Sequence, residues 1–188
     1  MIYNPDKHHR RSILLKGYDY SQPGTYFVTI CIQDRDCLLG EMVNGEIQFN
    51  AAGQMIYYWW NCLPHKYPNI KLDEFIIMPN HLHGLIIVGA DQRVCPDDKK
   101  GEHTGSPLQK PVSFSRMIQW FKTMTTNEYL RNVKQNDWHP FNKRLWQRNY
   151  YENVIRDENE FNRTRKYILV NPLKWDIDVD NPDNMESN

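Results

Sequence analysis

At 188 residues, with 40% hydrophobic, 13% aromatic and 24% charged side chains, the chain is too apolar to be disordered or collagen-like. It is long enough to bury about 70% of its surface around one core. No apolar run approaches the length of a membrane span, the charged start MIYNPDKHHRRS lacks the apolar stretch of a secretory signal, and the 23 Lys/Arg and 23 Asp/Glu cancel.

Residues 1–20 read as an irregular arm that carries the basic cluster at 7–11. Residues 25–33 (TYFVTICIQ) have the β-branched and aromatic composition of a strand. Asn44-Gly45, between two short apolar stretches, predicts a type I′ hairpin, because both turn positions need positive φ. Residues 51–63 predict an amphipathic helix that stops before Pro64. Residues 70–78 and 81–88 predict two strands joined at the turn signal Pro79-Asn80. The polar stretch 89–112, rich in Gly, Pro and Asp, predicts a flexible loop within one domain. Residues 113–130 have helical spacing with Ser113 as a cap, and residues 145–155 predict a strand. Asp157, with Glu160 three residues on, predicts the start of a helix that runs to about Val170 and is stopped by Pro172. Strands and helices mix without a crossover helix for every strand. This predicts an α+β sandwich, an antiparallel sheet with helices packed on it, over residues 1–175. Residues 176–188 form an acidic tail.

Four cysteines (Cys31, Cys37, Cys62, Cys95) lack C-x-x-C spacing, which disfavours a zinc ribbon. Without an export signal they read as reduced thiols in a cytoplasmic chain. The zero net charge argues at first against nucleic acid. Its distribution is uneven, however: residues 113–175 hold 12 Lys/Arg against 6 Asp/Glu, and residues 176–188 hold five acids and no base. That asymmetry fits a basic working face with an acidic tail, and it fits ordinary solvated surface as well.

The most informative segment is MPNHLHG. His81 and His83, two apart on a strand, point to one face, with Leu82 turned into the core on the other. Two imidazoles so placed can share a divalent ion, or be a pair of surface histidines. Gly84 and the turn before the pair leave room for a ligand. In the second segment, KYILVNP, Tyr167 and Asn171 are four apart on a helix and share a face. An Asn carbonyl oxygen can be a hard ligand beside two imidazoles, and a phenol one turn away would lie near the ion. Equally, Tyr167 can pack on the sheet and Asn171 cap the helix.

Together the segments resemble the HUH superfamily. TYFVTICIQDR, DEFIIMPNHLHGLIIV, RMIQWFKTMTT, LWQRNYYENVIRD and RKYILVNPLKW resemble the REP-associated tyrosine transposases, relatives of the IS200-like single-tyrosine transposases, over about residues 12–175. That resemblance implies a ferredoxin-like (RRM-like) domain. It implies a metal held by His81, His83 and Asn171, expected to be Mg²⁺ or Mn²⁺, and Tyr167 as nucleophile. The implied reaction is cleavage of single-stranded DNA beside small hairpins (REP-like palindromes), with a 5′-phosphotyrosine link and a free 3′-OH. IS200-like relatives are often dimers that exchange the tyrosine helix, whereas REP-associated ones look monomeric, so a monomer or a homodimer is expected.

Arg10, Arg11 and Lys16 are candidates to grip hairpin phosphates. Lys122, Arg144, Arg148, Arg163 and Arg165 are basic candidates near the expected site. Tyr150 and Tyr151 can stack bases or pack on the sheet. Asp73 and Glu74 read as surface turn charges, and the tryptophans Trp59, Trp60 and Trp120 as core. The alternative to an enzyme is a non-catalytic RRM-like module that binds nucleic acid.

Overall fold

A computed structural model describes residues 22–89, 113–178 and 180–184. The arm with Arg10, Arg11 and Lys16, the loop from 90 to 112 and Cys95 lie outside the described residues.

The chain begins its sheet with β1 (Gly24–Cys31). A hairpin of β2 (Gly40–Val43) and β3 (Glu46–Phe49) follows, turning at Asn44 (φ 54°) and Gly45 (φ 79°), the two left-handed positions that its sequence predicts. The Asn50 side chain then accepts from the Gly53 amide at 3.0 Å and starts α1 (Ala51–Asn61). Pro64 does not end the helical region. It sits in the first turn of a short second helix, α2 (Leu63–Lys66), where its missing N–H costs nothing. Strands β4 (Ile70–Ile77) and β5 (His81–Val88) pair as a hairpin, and α3 (Phe114–Gln135) crosses back over the sheet.

Two predicted elements differ in extent. The helix from 114 continues to Gln135, because Val133, one turn beyond Tyr129, still packs against the main core. The strand predicted over 145–155 is β6 (Tyr151–Ile155) only; ahead of it, Trp146 makes one isolated bridge to Ile32. Helix α4 (Glu158–Val170) starts as predicted: Asp157 accepts from the Glu160 amide at 2.8 Å. A 3-10 segment, Pro172–Ile177, follows.

The four main strands run antiparallel in the order β4-β5-β1-β6. With the β2–β3 hairpin set aside, the chain order is β-α-β-β-α-β, the ferredoxin-like arrangement. Alternation along β1 divides its residues between two layers. Tyr26, Val28 and Ile30 join the main core with α1 and α3. Phe27 faces α4 and meets Leu85 and Ile168 in a smaller cluster. On β5, Leu82 and Ile86 point into the main core, leaving His81 and His83 on the α4 side.

Candidate active site

His81 and His83 come from the start of the inner strand β5, one pleat apart. They are buried to 0% and 4% exposure, and their Nε2 atoms lie 3.1 Å from one another. Each outer nitrogen is held from behind. His83 Nδ1 is 2.7 Å from Thr29 Oγ1, and His81 Nδ1 is 2.8 Å from Asn80 Oδ1. Asn80 is itself fixed: its amide nitrogen donates to the carbonyls of Arg35 (2.9 Å) and Asp180 (2.7 Å). The Asn80 oxygen must therefore face His81. It can only accept, so His81 carries its proton on Nδ1 and presents a bare lone pair at Nε2.

Burial keeps both rings neutral. It pushes His81 down from 6.5 to about 4, with Arg35 adding to the effect. It pushes His83 down to about 3, helped by His81 and opposed by Asp178. A neutral His83 completes a chain of donors. The Thr29 hydroxyl donates to His83 Nδ1, His83 Nε2–H donates to His81 Nε2, and His81 Nδ1–H donates to Asn80. If His83 shifts to its other tautomer, two lone pairs converge on one point.

Tyr167 on α4 completes the cluster within the same chain. Its hydroxyl lies 3.4 Å from His83 Nε2, and the two rings are 5.2 Å apart. The ring is 43% exposed. Burial of the hydroxyl end, then Asp178, hold the phenol above its ordinary range, while the Asn171 side chain pulls it back. Asn171, at the C-terminal end of α4, is 2% exposed, and its Oδ1 is buried without a hydrogen-bond partner. A buried acceptor left unmatched is costly unless something positive sits beside it.

These donors fit a hard divalent cation. Two nitrogens about 2.1 Å from one ion and at right angles to one another are about 3 Å apart, which matches the imidazole spacing. Both histidines have the outer-shell partners that metal-binding histidines use. Among the described residues no cluster of three His, Cys, Asp or Glu occurs, and the unmatched buried oxygen of Asn171 is the group suited to serve as a third ligand.

Sequence reasoning missed the supporting residues. Asn80 reads as turn chemistry, yet it orients His81. Thr29 is the polar residue on the α4 side of an apolar strand, between Phe27 and Cys31, and the period of two marks it. Gly84 does not make room for a ligand: it lies on the opposite face, where a Cβ would stand 2.4 Å from Trp60 Cζ2. The acidic segment reaches the site from the far end of the chain, where Asp180 pairs with Arg35 at 2.9 Å.

The basic candidates separate. Arg165 is committed to Asp73 (2.9 Å) and Glu74 (3.3 Å), which form the bulge in β4 between Leu72 and Phe75 and are not surface turn charges. Lys122 donates to the carbonyls of Gln147 (2.9 Å) and Asn149 (3.2 Å) and lies over the Tyr150 ring. Arg144 and Arg148 are exposed and line a cavity of about 580 Å³ beside α3 that has no carboxylate in its wall. Arg163 is exposed one helical turn before Tyr167. Among the described residues no helix is long and apolar enough to cross a membrane.

No family model matches the chain. An uncharacterised protein of Haemophilus influenzae is 38% identical over 179 residues, covering 94% of this chain and 95% of that protein. A second Haemophilus influenzae protein, provisionally named a REP-associated tyrosine transposase, is 26% identical over 165 residues, covering 83% of this chain and 74% of that one. A solved REP-associated tyrosine transposase, bound to a REP hairpin, superposes with a TM-score of 0.54 at 17% identity, covering 85% of this chain and 72% of that one.

Proposed function

The chain belongs to one family with the 38%-identical Haemophilus protein and has the fold of a REP-associated tyrosine transposase, and on that premise we propose that it is a transposase-like enzyme that nicks and rejoins single-stranded DNA beside hairpins. The observation that carries the reading is the Tyr167 hydroxyl 3.4 Å from His83 Nε2, itself 3.1 Å from His81 Nε2.

In this reading His81, His83 and Asn171 hold Mg²⁺ or Mn²⁺. When bound, the ion draws charge from the phosphate and makes the phosphorus more open to attack. Tyr167 supplies the nucleophile: its oxygen forms a bond to phosphorus as the bond from phosphorus to the 3′ oxygen breaks. The phenolic proton leaves to solvent, which reaches the half-exposed ring, and the departing 3′ oxygen takes a proton in turn. The products are a 5′-phosphotyrosine and a free 3′-OH. The ester conserves the energy of the phosphodiester, so attack by a 3′-OH reseals a strand without a nucleotide cofactor. Thr29 and Asn80 keep the imidazoles aimed and neutral throughout. Of the basic candidates among the described residues, Arg144, Arg148 and Arg163 are free to meet phosphates, whereas Lys122 and Arg165 hold the fold. Arg10, Arg11 and Lys16 remain candidates for the hairpin stem.

The test is a single-stranded hairpin oligonucleotide incubated with Mn²⁺ and run on a denaturing gel. A covalent adduct that disappears in Tyr167→Phe supports the reading. Cleavage that survives this substitution would indicate hydrolysis by water. Binding without an adduct on a hairpin pool with randomised flanks would indicate a non-catalytic RRM-like module.

A further inference from the structure

Beside Tyr167, on the α4 side of the edge strand β6, lies a cavity of about 350 Å³. It is at the small end of ligand-site volumes, the size for one planar group. Cross-strand register builds it. Thr29 stands between His83 and Tyr151, and Phe27 between Leu85 and Asn153, so the row that ends in the histidine pair continues into Tyr151 and Asn153. Three aromatic rings meet there: Phe27 is 6.2 Å from Tyr151 and 6.0 Å from Tyr167, edge to face in both cases. Tyr151 is 48% exposed although its neighbours on the sheet are covered, so a flat apolar face is left open beside the proposed nucleophile.

The polar lining is biased. Asn153 spends its amide nitrogen on Glu160 at 2.7 Å, which leaves its carbonyl oxygen for a donor. Thr164 donates its hydroxyl to the Glu160 carbonyl at 2.9 Å and keeps its lone pairs. The Glu160 carboxylate also accepts from the Arg156 amide. The one cation in the lining, Arg163, makes no ion pair among the described residues and stands at the rim, one helical turn from Tyr167. A phosphate reaching Tyr167 thus has a guanidinium on one side and, beyond it, a slot of rings and hydrogen-bond acceptors.

We propose that this cavity is a base-reading subsite, in which a nucleobase flanking the scissile phosphate stacks on Tyr151 and donates an exocyclic amine to Asn153, so that adenine, cytosine or guanine is accepted and thymine disfavoured. Stacking is open to every base, and the acceptor-rich edge supplies the selection: thymine has no exocyclic amine, and its one donor, N3–H, is flanked by two carbonyl oxygens that would face the Asn153 and Thr164 acceptors. The inference rests on the strand-transfer reading above and deepens it.

The experiment uses hairpin oligonucleotides whose single-stranded flanks are fully randomised. The full chain and Mn²⁺ are added, and the Tyr167-linked products are sequenced. The wild-type protein is expected to under-represent thymine about tenfold at one position next to the cut, the scale of one hydrogen bond left unmade. Tyr151→Ala and Tyr151→Leu, the second of which preserves strand propensity, are expected to give about tenfold fewer adducts with no bias at that position. Tyr151→Phe, which keeps the stacking face, is expected to retain the bias. A wild-type product pool without bias next to the cut, or one whose bias persists unchanged in both Tyr151→Ala and Tyr151→Leu, overturns the subsite while leaving the nuclease reading intact. A wild-type protein that forms no adduct with any member of the pool overturns both.

Discussion

Asn80 and His81, adjacent in the chain, are also bonded side chain to side chain, with Asn80 Oδ1 2.8 Å from His81 Nδ1. Because Asn80 is anchored to the carbonyls of Arg35 and Asp180, the contact fixes both the ring and its tautomer. Asn80→Ala should therefore weaken Mn²⁺ binding by about 10- to 100-fold, the usual cost of removing an outer-shell partner. Isothermal titration of the variant checks this, and an unchanged affinity would show that His81 needs no such support.

Metal loading should raise thermal stability with the logarithm of one plus its concentration over Kd, since the ion would bind the folded state alone. The midpoint of unfolding is expected to rise with Mn²⁺ in the wild-type protein. In His83→Gln and Asn171→Leu the rise should be absent or small, and a chelator should reverse it. Asn171→Leu also removes the unmatched buried oxygen, so without metal this variant should be no less stable than the wild type.

The histidine pair sets a pH dependence. Folded pKa values of about 4 for His81 and about 3 for His83 lie below the ordinary 6.5, so the unfolded chain binds more protons than the folded one in between. Stability without metal is then fully present above about pH 6.5 and falls on acidification, each histidine contributing a slope approaching about 1.4 kcal/mol per pH unit. Urea titrations at pH 7, 6, 5 and 4 measure it, and His83→Gln should flatten the curve. Because both rings are already neutral at pH 7, Mn²⁺ binding should release few protons there. Titration heats should agree between buffers of different ionisation enthalpy.

Gly84→Ala tests the face opposite the site. The added methyl group would meet the Trp60 ring at 2.4 Å, an overpacking expected to cost about 1–3 kcal/mol. Chemical denaturation measures the loss. Residual adduct formation by the folded fraction should match the wild type, because the glycine and the imidazoles lie on opposite sides of β5.

The layered architecture is legible in the sequence because its signals are local and agree. Asn44-Gly45 specifies its turn, Asp157 caps α4, and the alternation in HLHG separates histidine face from core face. The outer support of the histidines is not legible in the same way. Thr29, Arg35 and Asp180 reach them only through register and through contacts between distant parts of the chain. The fates of Lys122 and Arg165 were hidden for the same reason: a charge pattern marks a basic stretch but does not say which cations are already bonded to carbonyls or carboxylates. Gly84 was misread because a missing side chain signals close approach without saying what approaches.

β5 is stitched to a neighbour along both edges and backed by the main core, while α4 rests on the smaller cluster of Phe27, Leu85 and Ile168 and on the Arg165 clamp. Stiffness is thus shared unequally between the two halves of the site: the imidazoles form an anvil, and the phenol rides on the softer mount. Were a bulky polymer to settle between them, the helix would be the part with freedom to yield, and the nitrogen pair would keep its spacing.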